Sequence, residues 1–421
     1  MDINLRFGMQ RDKEIIRDLA DKINGLVIPA HILAYQEAPT SVFVASFKNM
    51  PYIIDPMTFL LQHPKENLVN DSGELGRSIG KMCDEYHPSL FGLLSSLSAA
   101  DRISPASIPD HQQLCENIYR TQTESIATKS TTKKAKKYIE RYGTGTPTLP
   151  RFVVSPYFYF VSTNDPWYGL SLELANIMQG ICESKGDSLE SGVILYLSAD
   201  NLNEATISRI ASDYASFRHI VVWLDDFNEA GVSIDNIVKS RQLIKQLAEF
   251  SDVEVLYGGY LLMTTATEGL SAISHGILYS LHKSFVITPG GGGVPERYYI
   301  PKFKAFRSLS QTDLILHRHT ELICDCEICQ DVMQGNPDRI VLFADEPEKL
   351  RQHFIAVRHD EADLAETINR DTIVAELRDT YHTYHESISH LPNPDAVVSR
   401  SNMRGLEYLN RWADGIESII S

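Results

Sequence analysis

Gly192-Val193-Ile194-Leu195-Tyr196-Leu197 and His219-Ile220-Val221-Val222-Trp223-Leu224 are two nearly unbroken apolar runs separated by a polar, helix-like segment. A strand that is apolar at every position, rather than at alternate ones, is covered on both faces, as in a parallel sheet packed between helices. Working outward, residues 151–161, 253–257 and 272–278 have the same strand character, and the helical patterns at 170–183, 203–217 and 235–250 alternate with them. Upstream, Leu26-Val27-Ile28-Pro29-Ala30 is a short apolar run after an opening helix at 12–23. Residues 42–46 and Tyr52-Ile53-Ile54-Asp55 are strand candidates by their β-branched and aromatic content. Alternating strand and helix with about eight strands is enough to close a barrel, so the expected fold is α/β, a (β/α)8 TIM-type barrel over residues 1–318. A polar, helical and basic insertion interrupts it around 65–145.

After a strand-like run at 313–317, the pattern changes at Cys324-Asp325-Cys326-Glu327-Ile328-Cys329, which holds three of the chain's six cysteines. Thiolates this close converge readily on one soft cation, and Cys-x-Cys-x-x-Cys supplies three corners of a zinc tetrahedron. His317 and His319 upstream, or His353 and His359 downstream, can supply the fourth, a downstream histidine being favoured because it pins the next helix onto the knuckle. Four protein ligands leave no open position, so the expected zinc is structural rather than catalytic. Helical segments at 346–368, 372–385 and 401–420 complete an expected C-terminal zinc-binding subdomain over residues 319–421.

The chain has 421 residues, 43% hydrophobic and 22% charged, an ordinary globular composition. No stretch is apolar enough for a membrane helix, the first residues are too polar for a signal peptide, and Cys83, Cys115 and Cys182 read as separate free thiols. A cytoplasmic location is expected. A net charge of −16 opposes general affinity for nucleic acid. Phosphate contacts would rest on two basic runs. One spans Lys129 to Arg141 and includes Lys133, Lys134, Lys136 and Lys137; the other interleaves Arg297, Tyr298, Tyr299, Lys302, Lys304 and Arg307, a pattern suited to stacking bases and holding phosphates.

In parallel α/β folds the reactive face lies at the carboxyl ends of the strands. Asp55, Asp165, Asp200 and the pair Asp225-Asp226 each follow an apolar run, and Ser274 and His275 lie in the last one. Acids around one mouth suit general acid–base work or hydrogen bonding to the edge of a nitrogenous base, although aspartate also serves simply as a helix cap. Gly258-Gly259 ends a strand and is either a turn or a close approach of backbone to ligand. Gly290-Gly291-Gly292-Gly293 lacks the Gly-Lys-Ser/Thr of a phosphate loop and reads as a mobile loop.

Strand order, the cysteine knuckle and Leu350-Arg351-Gln352-His353 opening a later helix together resemble the tRNA-guanine (queuine) transglycosylase superfamily, whose relatives include enzymes placing deazaguanine bases in DNA. The resemblance covers roughly residues 40–365. It implies a transferase acting on the N-glycosidic bond of a guanine or deazaguanine in tRNA or DNA, a structural zinc with His353 as fourth ligand, and homodimerisation. Asp55-Pro56-Met57-Thr58-Phe59 stands where the family has an active-site Asp-Ser-Gly-Gly-Phe, without its glycines; Asp165 is similar to the aspartate that reads the base; Tyr257-Gly258-Gly259 is similar to the Gly-Val-Gly strand end. The nucleophilic aspartate would fall at Ile273-Ser274-His275, and it is absent. Asp55 or Asp225 would then take the catalytic role, with Asp165, Asp200, Gly258, Gly259 and His275 around the substrate. The alternatives are a base-releasing N-glycosidase or nucleosidase, or a non-catalytic nucleic-acid- or protein-binding subunit of a larger assembly.

Overall fold

The computed structural model describes residues 1–8, 10–186, 188–277, 281–286, 296–392 and 405–419; the Gly290–Gly293 run lies outside them. Nine strand segments form one sheet: β1 (Asp2–Arg6), β2 (Gly25–Pro29), β3 (Tyr52–Asp55), β4 (Val153–Val154), β5 (Tyr159–Phe160), β6 (Ser191–Ser198), β7 (His219–Asp225), β8 (Asp252–Leu256) and β9 (Leu270–Gly276). All pairings are parallel, in the order β3-β2-β1-β9-β8-β7-β6, with β4 and β5 both on β6. Eight strand positions therefore follow chain order, and the first strand pairs with the last, so the sheet is curled. β6 and β7 are buried along nearly their whole length, as their continuous apolar sequence requires.

The expected closed barrel is only partly realised, because no ladder joins β3 to β4 among the described residues. Arg151 N–H to the Tyr52 carbonyl at 2.8 Å is the backbone bond across this seam. Pro156 separates β4 from β5 and has no N–H to donate to a ladder. Side chains take over the unpaired backbone groups. Gln122 accepts from Val154 N–H at 2.9 Å and donates to its carbonyl at 2.7 Å. Thr58 does the same for Tyr157 at 2.8 and 2.6 Å, and Gln62 for Tyr159 at 2.7 and 2.8 Å. Buried backbone polar groups are thus satisfied without strand pairing.

Three local expectations are corrected. Residues 42–46 are not a strand but belong to the helix Glu37–Ser46, whose Val42, Phe43, Val44 and Ala45 are all buried; a short apolar run does not distinguish a strand from a fully covered helix. Residues 313–317 likewise lie in the helix Leu309–Arg318, with Ile315 and Leu316 facing inward. β1 was not anticipated: the segment is short, and Asn4 and Arg6, which alternate with apolar Ile3 and Leu5, are themselves buried rather than facing solvent.

The insertion is helical as expected, with Arg77–Tyr86, Pro88–Ser96, His111–Ser130 and Lys136–Tyr142. The hairpin β10 (Arg297–Ile300) with β11 (Ala305–Ser308) joins the C-terminal helices Pro347–Ala365, Arg370–Ser389 and Glu407–Glu417. These helices are integrated with the sheet layer: Trp412 Nε1 donates to the Glu229 carbonyl at 2.7 Å. No described helix is long and apolar enough to cross a membrane.

Candidate functional site

Cys324, Cys326, Cys329 and His353 converge so that their four ligand atoms lie within 4.8 Å of one another. The sequence places the cysteines by a tight turn into the helix Glu327–Val332, for which Cys326 is the N-cap: its Sγ accepts from Cys329 N–H at 3.5 Å. His353 comes from the buried face of Pro347–Ala365. Its Nδ1 lies 3.3 Å from Sγ of both Cys326 and Cys329, and its Nε2–H donates to the Tyr299 carbonyl at 2.7 Å, which fixes the tautomer that leaves Nδ1 free to ligate. Tyr298 stacks on the imidazole at 4.4 Å, with its hydroxyl 3.0 Å from Cys329 Sγ. Three thiolates and an oriented imidazole in a closed, half-buried setting are a donor set consistent with zinc. The other histidines are engaged elsewhere: His317 with Asp338 at 2.7 Å, His319 with Ser387 at 2.8 Å and His359 with Asp363 at 3.8 Å.

A second polar centre lies at the carboxyl end of the sheet. Asp55, fully buried, accepts from Arg6 Nη1 at 2.7 Å on one oxygen, and from Met57 N–H at 2.9 Å and the Tyr157 hydroxyl at 2.8 Å on the other. Burial, with the adjacent carboxylate, holds the Tyr157 hydroxyl well above its ordinary titration range, so it stays a donor. Arg6 also lies over the Tyr257 ring at 5.4 Å, and Tyr257 itself has a left-handed backbone (φ 62°). A non-glycine residue held there signals strain imposed by its surroundings.

Beside this centre is an aromatic slot. The Phe285 ring stacks on His63 at 4.5 Å (20° between planes) and on Tyr159 at 4.5 Å (15°). Its backbone N–H donates to Asp225, which also accepts from the Tyr196 hydroxyl at 3.0 Å and from Tyr159. Burial pushes the Asp225 carboxyl up, and burial with nearby Lys283 lowers His63 to about 4, so that ring is neutral. Trp223 stacks on Tyr196 at 3.8 Å deeper in, and its buried Nε1 has no hydrogen-bond partner.

The remaining predicted residues are dispersed. Asp165 is the N-cap of the helix Pro166–Lys185, accepting from Trp167 N–H at 3.0 Å and Val161 N–H at 3.2 Å. Asp200 is exposed and bonded to Asn236. A Cβ on Gly258 would meet Ile273 Cδ1 at 2.5 Å, and one on Gly259 would meet Glu229 at 2.3 Å, so both glycines serve close packing within the chain. Gly259 N–H is donated to Glu229 at 2.8 Å. His275 points outward to Phe354 with its Nδ1 2.9 Å from the Gly276 carbonyl, and burial lowers its pKa to about 4; it is a core residue. Tyr298 and Tyr299 are fully buried and present no stacking surface, a correction that follows from the hairpin being covered on both faces. Arg297 opens that hairpin, half-buried.

Lys133, Lys134, Lys136 and Lys137 are drawn together, lining a cavity of about 1050 Å³ with residues of the opening helices. Arg6, His63, Tyr157, Tyr159 and Phe285 were not foreseen as site residues; only the period-two pattern Ile3-Asn4-Leu5-Arg6 carried a signal for the first. Compared with known proteins, the chain matches no family model and no characterised sequence.

Proposed function

We propose that this chain is a transglycosylase-like enzyme acting on the N-glycosidic bond of a guanine or deazaguanine base in nucleic acid, built on a (β/α)8-type barrel whose last seam is stapled by side chains and braced by a structural zinc on Cys324, Cys326, Cys329 and His353. The observation that carries the reading is the slot now filled by Phe285. A planar base placed there would have its two faces against His63 and Tyr159 and would donate a ring or exocyclic N–H to Asp225, as the Phe285 backbone does. The unpaired Trp223 Nε1 offers a further donor to the same region.

The roles divide by accessibility. Three donors hold Asp55 in a dry site, so its part is to fix Arg6 and Tyr157 at the mouth. Asp225 is half-buried, and its raised pKa suits it to exchange a proton with a base as the glycosidic bond changes. Base release to water is favoured as a second reading by Ile273-Ser274-His275, which has no carboxylate to hold the sugar covalently.

The test supplies labelled guanine, or a deazaguanine, with tRNA and with duplex DNA. Incorporated label supports exchange, free base without incorporation supports hydrolysis, and neither product from either nucleic acid overturns the enzymatic reading.

A further inference from the structure

Lys13 is 1% exposed, yet its ammonium is held only by neutral acceptors, Gln36 Oε1 and Thr40 Oγ1, both at 3.1 Å. No carboxylate lies within ion-pair distance of it among the described residues. A buried ammonium with no direct ion-pair partner is costly even with the Asp12 carboxylate acting on it from further away. Lys13 lines the cavity of about 1050 Å³ noted above, together with Arg77, Lys81 and Lys129 from two other helices and the four lysines of the Lys133–Lys137 run. Eight cationic side chains thus meet two carboxylates, Glu37 and Glu140. Glu37 is already shared between Lys81 at 3.1 Å and Lys129 at 3.2 Å.

Four chain segments distant in sequence therefore concentrate positive charge in one concavity of a chain whose net charge is −16. Clustered like charges raise the local positive potential, which favours an anion there. We propose that this cavity is a binding site for closely spaced phosphates, either adjacent phosphodiesters of a nucleic-acid strand or the phosphate chain of a nucleotide. A concave site with a cation at its base and lysines around its rim neutralises several phosphates at short range, where the acidic remainder of the surface is screened. Phosphate binding needs no base chemistry, so the inference stands or falls separately from the base-exchange reading.

Isothermal titration of the full chain with inorganic tripolyphosphate tests it, with ATP and a single-stranded oligonucleotide as parallel titrants. The expected result is saturable binding at one site per chain that falls about tenfold or more in Lys133→Glu/Lys134→Glu, exposed positions whose change leaves the fold intact. Lys129→Gln should weaken it as well. An oligonucleotide that competes with tripolyphosphate identifies the phosphates as those of a strand; binding of ATP but not of the oligonucleotide identifies a nucleotide. No saturable binding of any of the three, or affinity unchanged in the double variant, overturns the proposal.

Discussion

Arg6 on β1 and Asp55 on β3 meet at 2.7 Å across the intervening strand β2, with side-chain exposures of 6% and 0%. The pair ties β1 to β3 at the level of the proposed site. Removing one partner leaves the other charge buried and uncompensated, which costs far more than the pair itself contributes. Asp55→Ala should destabilise the fold by about 3–5 kcal/mol, whereas Arg6→Met with Asp55→Leu should cost distinctly less than Asp55→Ala alone. Denaturant unfolding of the three chains measures this. A loss below about 1 kcal/mol in Asp55→Ala would show that Arg6 finds water or another acceptor.

Metal binding at the knuckle should supply folding free energy. Purified protein is expected to carry about one zinc per chain, and Cys326→Ser or treatment with a strong chelator should remove it and lower the melting temperature. His359→Ala should leave zinc content unchanged, because His359 faces Asp363 instead. A metal-free chain that melts at the same temperature would refute the structural role.

Lys13 gives a pH signature. Burial lowers its pKa from 10.5 to about 8, with Asp12 opposing that shift and Arg141 of the neighbouring helix adding to it. Between those values the unfolded chain binds the proton that the folded chain has released, so this residue's contribution to stability rises as pH increases from about 8 to 10.5. Lys13→Met should flatten the stability profile in that window, as read by denaturant midpoints at successive pH values. An equal slope in both proteins would mean that Lys13 titrates normally.

The parts of this fold legible in sequence are those fixed by short-range pattern. β6, β7 and β8 announce themselves by continuous apolar runs, and Cys324, Cys326 and Cys329 by spacing that only a shared cation exploits well. His353 needed the context Leu350-x-x-His353, because four histidines lie near the knuckle in sequence. What was hidden depends on tertiary contact. Tyr298 and Tyr299 lie in a run interleaved with basic residues, as an exposed surface would, but one ring packs on His353 and the other on Phe354, so both faces of the hairpin are inside. Asp165 looked like a member of an acidic ring and is a cap, since the same residue type serves both ends. The slot around Phe285 brings together residues from positions 63, 159, 225 and 285, and no local pattern encodes such a meeting.

The Phe285 slot gives the most direct test of the base-binding reading. If Phe285 occupies the position of a base, it competes with any base that binds, and removing it should raise apparent affinity by relieving that competition. Binding of guanine and of a 7-deazaguanine to the wild-type chain, Phe285→Ala and Asp225→Asn, each checked for an unchanged fold by circular dichroism, is the direct measurement. The expected order is Phe285→Ala tightest, wild type weaker, and Asp225→Asn weakest. A Phe285→Ala chain that remains folded yet binds neither base, or binds them more weakly than wild type, would contradict the account.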